Sequence, residues 1–218
     1  DEIVLNDHHN LQGWGGEGSQ AEGYLLGLLI GDGTLKADKA VLSVWAPELR
    51  AVGSDTVAYA CTGAAGIVHA AEAAAATLSY RADFKGFQRP VQGRGEARLA
   101  SSELRDLAFA LGMAPGHKTI TPAMEQQSSD FAEGLLGGLF DADGSVQGSQ
   151  DKGVSLRLSQ SNASLLETVQ RMLLRLSIVS TLYTERRLAA AASLPDGQGG
   201  CADHATQAQH ELVISGDN

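Results

Sequence analysis

Asp32 and Asp143 are the residues whose setting points to chemistry. Each lies directly before a glycine and closes an apolar run, in LLGLLIGDG (25–33) and LGGLFDADG (136–144). If those runs are helices, both carboxylates sit at helix C-termini, the negative end of the macrodipole. If the ends also adjoin, two like charges repel and raise each other's pKa. A divalent cation removes both penalties. Hard oxygen ligands favour Mg²⁺ or Ca²⁺, and Mg²⁺ usually completes its shell with water and phosphate. An EF-hand is excluded: with Gly144 at loop position 6, Leu139 would stand at position 1 and Gln150 at position 12, where acids are needed. For a single Asp-Gly the plain alternative is a helix-terminal turn. Two copies in matched surroundings argue against it.

The surroundings are a repeat. SQAEGYLLGLLIGDG (19–33) aligns with DFAEGLLGGLFDADG (130–144) along its whole length. Ser19 with Glu22 reads as a capping box, and Asp130 with Glu133 as its aspartate variant. Thirteen positions separate cap from aspartate in both copies, so both helices aim an aspartate from just past their C-terminal end. Each helix also carries two glycines four apart, Gly23 and Gly27, then Gly134 and Gly138, which places each pair on one face. Glycine costs about 1 kcal/mol in a helix interior relative to alanine. A bare glycine face repays that only if another backbone comes close. The reading is two helices packed glycine face to glycine face, with the aspartates side by side at one end.

Composition bounds the rest. The 218 residues, 43% hydrophobic, suffice for one large or two small globular domains. The longest apolar stretch, near Tyr24–Ile30, is too short to span a bilayer, and the polar opening is no signal peptide, so no membrane partner is expected. Two distant cysteines, Cys61 and Cys201, read as free thiols and an intracellular, cytoplasmic location. The net charge of −10 argues against a nucleic-acid partner, yet Arg81, Lys85, Arg89, Arg94 and Arg98 outnumber Asp83 and Glu96 locally, and Arg157, Arg171, Arg175, Arg186 and Arg187 mark the last third. From charge alone these are either binding stripes or ordinary solvated strand faces. Cys201, His204 and His210 lack a clear fourth ligand and read as incidental rather than as a zinc site. His8-His9 reads as solvated linker, and Trp45 as core or sheet surface rather than a stacking platform.

The two motifs resemble the paired signature of LAGLIDADG homing endonucleases in their single-chain form. GHKTITP (116–122), residues 162–183 and ELVISGDN (211–218) sharpen the resemblance to endonuclease domains found in inteins. It implies an α+β fold of two pseudo-symmetric αββαββα repeats forming a DNA-binding saddle, with a linker over 1–18 and repeats over 19–122 and 123–218. It implies a monomer that binds double-stranded DNA at a long recognition site, acts on genomic DNA and cuts both strands to leave short 3′ overhangs. Asp32 and Asp143 would be catalytic metal ligands, aided by the carbonyls of Gly31 and Ala142. The metal would be Mg²⁺, with Mn²⁺ substituting and Ca²⁺ binding without cleavage. Lys118 occupies the place of the family's active-site lysine, and Gln160 that of a water-orienting glutamine. Lys36, Arg81, Lys85, Arg89, Arg94, Arg98, Arg157, Arg186 and Arg187 would face DNA. A second catalytic lysine is not found. Self-splicing is not expected, since the sequence opens on Asp1, ends Gly-Asp-Asn and shows no splicing block.

On this plan the first motif helix covers Gln20–Ile30, Thr34–Lys36 and Ala40–Trp45 form a hairpin, and Pro47–Ala60 is a helix. Thr77–Phe84 and Gly95–Ala100 are strands, and Ser102–Leu111 is a helix. Ser145–Gln147 pairs with Val154–Gln160, whose alternation Val154-Ser155-Leu156-Arg157-Leu158 gives one apolar and one polar face. Ser164–Leu176 is an amphipathic helix, Ile178–Arg187 and His210–Ser215 are strands, and Ala189–Gly200 is a loop. Two other functions fit parts of the pattern: a LAGLIDADG-fold nucleic-acid binder without cleavage, such as a maturase or regulator, and a metal-binding structural domain.

Overall fold

The computed structural model describes residues 13–45, 63–80, 82, 84–88, 95–149, 153–195 and 200–215, with side chains 192–195 and 201–204 excepted. The helix expected at Pro47–Ala60 and the residues Arg81, Arg89, Arg94, Cys61, His8 and His9 lie outside the described residues. The chain divides into two compact units, His9–Asp143 and Gly144–Asn218.

In the first unit the order is α1 (Gln20–Ile30), β1 (Thr34–Leu35), β2 (Ala40–Trp45), α2 (Ala64–Ala75), β3 (Phe87–Gln88), β4 (Glu96–Ser101), α3 (Ser102–Ala110), α4 (Pro122–Glu125) and α5 (Ser129–Asp143). The antiparallel sheet has the order β1-β2-β4-β3. Leu42 pairs with Leu99 and Val44 with Ala97, and all four side chains are buried on one face. Helices α1, α2 and α3 all contact β2 or one another over the core. The opposite face carries Thr34, Val41 and Ala100 in one register row and Ser43, Arg98 and Gln88 in the next.

In the second unit β5 (Gly144–Ser149), β6 (Gly153–Gln160), α6 (Ala163–Arg175), β7 (Thr181–Arg187) and β10 (Gln209–Ser215) follow the same plan. The sheet order β5-β6-β10-β7 repeats that of the first sheet. Leu158 faces Leu212 in register, and α6 covers them with Leu165, Leu166, Val169, Met172 and Leu173. Asn162 caps α6, its Oδ1 accepting from Leu165 N at 3.3 Å.

The fold is thus α+β, and three local expectations need correction. The described residues of Thr77–Phe84 form no strand: α2 ends at Ala75, and the Thr77 hydroxyl donates back to Ala74 O at 2.7 Å, turning the chain. The short β3 forms later, at Phe87–Gln88. Ala190–Pro195, expected within a loop, is a strand: β8 (Ala190–Pro195) pairs with β9 (Cys201–Thr206) in a separate two-stranded sheet. Asp130 is not the cap of α5. The Ser128 hydroxyl accepts from Phe131 N at 3.1 Å and donates to Gly18 O at 2.7 Å, so the helix starts earlier, at Ser129. Residues 14–18 hold this turn: Trp14 Nε1 donates to Gln127 O at 2.7 Å and Ser128 N to Glu17 O at 3.0 Å. The capping box of α1 forms as expected, with Ser19 N donating to Glu22 Oε2 at 2.7 Å and Glu22 N to Ser19 Oγ at 3.3 Å.

The glycine faces meet. A Cβ on Gly23 would overlap Phe131 O, one on Gly27 would overlap Leu135 O, one on Gly134 would overlap Gln20 O, and one on Gly138 would overlap Tyr24 O. The obstacles are backbone atoms of the facing helix, which no rotamer change can move. Gly137, one position along, would meet only Tyr24 Cδ2 at 3.9 Å. Gly27→Ala and Gly138→Ala should therefore each destabilise by about 2–3 kcal/mol, because forcing the helices apart outweighs the roughly 1 kcal/mol gained in helix propensity. Gly137→Ala should instead stabilise by about 0.5–1 kcal/mol. Urea unfolding midpoints of the three variants check the opposite signs.

Candidate functional site

The close packing brings the C-terminal end of α1 against that of α5. Gly31 caps α1, its N–H donating to Gly27 O at 3.1 Å. A Cβ on Gly31 would overlap Ala142 Cβ and lie 3.3 Å from Asp143 Oδ2, so the Asp143 carboxylate stands beside the α1 terminus. Asp32 follows the cap and is exposed, while Asp143 is half-buried. The two are not placed identically: Asp32 lies beyond its helix, whereas Asp143 is the last residue of α5. Asp32 also shares a small cavity of about 130 Å³ with Asp141, Ala142, Trp45 and Ser43.

Lys118 completes the cluster. Its ammonium donates to Leu29 O at 3.1 Å, to Ile30 O and Gly31 O at 3.3 Å each, and to Gly33 O. Three N–H protons serve four carbonyls, so the donors are shared. Leu29 and Ile30 are among the last residues of α1, whose carbonyls lack helical partners, and a cation there also offsets the macrodipole. Burial pushes the Lys118 pKa down, and the charges of Asp143 and then Asp32 act to raise it. Lys118 is thus half-buried and bound to backbone.

Two carboxylates and nearby backbone carbonyls form a hard-oxygen donor set, which fits a Mg²⁺ ion that takes one or two carboxylates and fills its shell with water and phosphate. Gly31 O, expected as a ligand, already accepts from Lys118, though a carbonyl has a second lone pair. Among the described residues no cluster of three or more His, Cys, Asp or Glu side chains is placed to hold a metal. His210 Nδ1 accepts from Glu185 N at 3.1 Å instead.

Sequence reasoning missed Tyr24 and Asp141. The Tyr24 hydroxyl donates to Asp141 Oδ2 at 2.7 Å, tying α1 to α5, and burial followed by this contact pushes the phenol pKa well above its ordinary value. Nothing in the spacing marks the pair, which exists only once the helices are in register.

The expected DNA-facing residues divide between the two sheets. On the first, Lys36, Lys85 and Arg98 line a groove of about 920 Å³ over the polar face, joined by Lys39. On the second, Arg157 Nη1 lies 3.4 Å and Arg186 Nε 3.3 Å from the same oxygen, Glu211 Oε2. Arg157 Nε also donates to Ser155 Oγ at 3.1 Å, and the Arg186 guanidinium lies 5.1 Å from the Tyr183 ring centre. Arg187 is exposed opposite Gln209. Gln160 ends β6 opposite His210, in the second unit, whereas Asp32, Asp143 and Lys118 all belong to the first. Trp45 is 54% exposed, which makes it sheet surface and not core.

Lys118→Met should destabilise the protein by about 2 kcal/mol, since it strips a charged donor from several half-buried carbonyls. Hydrogen exchange should then quicken most in the last turn of α1 and in residues 31–33. Unchanged exchange there would mean that water replaces the ammonium without loss.

Comparison with known proteins shows what these features are similar to. The α subunit NrdEB of ribonucleoside-diphosphate reductase from Bacillus subtilis (strain 168) is 28% identical over 122 residues, covering 55% of this chain and only 11% of that protein. The homing endonuclease I-DmoI in complex with DNA and Mn is similar in structure at a TM-score of 0.45 and 17% identity, over 90% of this chain and 89% of that one. Full-length DUF199/WhiA from Thermatoga maritima is similar at a TM-score of 0.49 and 15% identity, over 95% of this chain and 54% of that one. Residues 130–218 match the family profile of the LAGLIDADG-like domain. The matched stretch begins in the first turn of α5 and is similar to a LAGLIDADG-like domain.

Proposed function

We propose that the chain is a site-specific double-strand DNA endonuclease of the homing type, the endonuclease part of an intein, acting intracellularly as a monomer on a long site. The observation that carries this reading is the delivery of Asp32 and Asp143 to the abutting ends of α1 and α5, with the Lys118 ammonium lodged there. The match of 122 residues to 11% of a reductase subunit supports an element inserted in a host protein of unrelated activity. The grooved polar face bearing Lys36, Lys85 and Arg98 supports the choice of DNA.

Phosphodiester hydrolysis needs an activated water, relief of phosphate charge and help for the leaving oxygen. A Mg²⁺ ion held by Asp32 and Asp143 would supply those demands by acidifying bound water and drawing charge from the phosphate. The residues contribute placement. Lys118 fixes the Gly31–Gly33 turn through its carbonyl contacts and so sets where Asp32 points. It also keeps a positive charge beside the position a scissile phosphate would take. Tyr24 engages Asp141 and leaves Asp143 as the carboxylate at the α1 terminus.

A second reading, a nucleic-acid binder that does not cut, draws on the sharing of the Lys118 protons among four carbonyls. Incubation with a randomised duplex library in Mg²⁺ and, separately, in Ca²⁺ at low salt, followed by end sequencing, discriminates the two. Recurrent 3′-overhang ends in Mg²⁺ alone establish the endonuclease, whereas enrichment without cleavage establishes the binder. On the selected site, Asp143→Asn should lower cleavage by more than about a hundredfold while affinity stays within the same order of magnitude. Equal loss of binding and cleavage would assign Asp143 to the fold instead.

A further inference from the structure

Arg98 is held in an unusual way for a surface arginine. Its Nε donates to Glu96 Oε1 at 2.6 Å and its Nη2 to Glu96 Oε2 at 3.0 Å. The two residues stand two apart on β4, so both side chains rise from the same face of the sheet. Glu96 is 4% exposed and the Arg98 side chain 46%. The carboxylate is thus anchored in the protein and the guanidinium projects from it into the groove over the first sheet. Bidentate pairing of this kind fixes the plane of a guanidinium as well as its position.

The two bonds use the side-on edge of the guanidinium. Its other edge, Nη1 with the second Nη2 proton, has no partner among the described residues. Those two parallel donors match the O6 and N7 acceptors that guanine presents in the major groove. Pairing with Glu96 also cancels the charge that would otherwise draw Arg98 to any phosphate, which leaves geometry to govern what it binds. Ser43 and Gln88 flank Arg98 in register and add further polar groups to the same face of the sheet.

We propose that Arg98 reads a guanine in the major groove of the target duplex and that Glu96 is the positioning residue that aims it. The inference rests on the reading of this chain as a sequence-specific DNA-binding protein. Neither residue is assigned to the chemistry of cleavage.

Selection of bound sites from a randomised duplex library, done with the full chain in Ca²⁺, tests it. The unaltered protein should select a site with guanine preferred at one position by about tenfold to a hundredfold. Arg98→Lys keeps the charge on an exposed side chain and should lose that one preference while the other positions keep theirs. Glu96→Gln should weaken the preference at the same position and raise affinity for random duplex, an effect that a merely structural role for Glu96 would not produce. If Arg98→Lys selects an unaltered site, the guanine assignment is overturned and the DNA-binding reading stands. If Arg98→Lys loses the guanine but Glu96→Gln does not weaken it, Glu96 is not its positioning residue. If the unaltered protein selects no site, both fall together.

Discussion

The contact of α1 with α5 is made between backbones, and the candidate site depends on it. Four glycines face carbonyl and amide atoms of the opposite helix at distances that exclude any side chain. Such an interface cannot slide, because a shift of one residue would set a leucine against a backbone. The register is therefore fixed, and with it the relative position of the two C-terminal ends. Four helical glycines cost about 4 kcal/mol in propensity. Burial of Leu25, Leu29, Leu135 and Leu139, all at 0% exposure, offsets this, since each full burial contributes roughly 1.5–3 kcal/mol. The strain of bringing carboxylates together is thus borne by apolar packing and not by the carboxylates themselves.

At the end of that interface the electrostatics would be unfavourable without Lys118. Helix termini that expose carbonyls, together with Asp32 and Asp143, concentrate negative charge in one place. One ammonium answers the carbonyls of α1, and the field of both aspartates opposes the cost of its burial. The same lysine therefore serves two purposes that need no choice between them: it closes a helix, and it moderates the charge of the two aspartates proposed to hold a divalent cation.

The motif helices were legible because their signals are local. The capping box of α1, the glycine spacing and the apolar run all lie within a few turns of sequence, and α1 runs over Gln20–Ile30 as the pattern requires. The start of α5 was not, since Ser128 takes the cap through contacts with Glu17 and Gly18 more than a hundred positions away. The β8–β9 hairpin was hidden by an alanine-rich composition with weak strand propensity, where ladder pairing across Ala190–Thr206 decides the outcome. At the site, the aspartates and Lys118 could be named from motif and resemblance, but Tyr24–Asp141, Glu96–Arg98 and Glu211 with its two arginines could not. Those pairs arise from strand register and helix packing, which single-sequence periodicity does not determine.

These pairings also account for an acidic chain with basic faces. A net charge of −10 lowers the general attraction to phosphate. In the first sheet Glu96 spends its charge on Arg98, and in the second Glu211 lies between Arg157 and Arg186. An arginine so paired loses most of its pull on any phosphate but keeps donors in a fixed orientation. Non-specific affinity, which scales with the phosphates neutralised, then falls further than affinity for a site that matches the donors. For a protein proposed to find one long site among many, acidity of this kind is a means of discrimination, because the quantity that matters is the ratio of the two affinities.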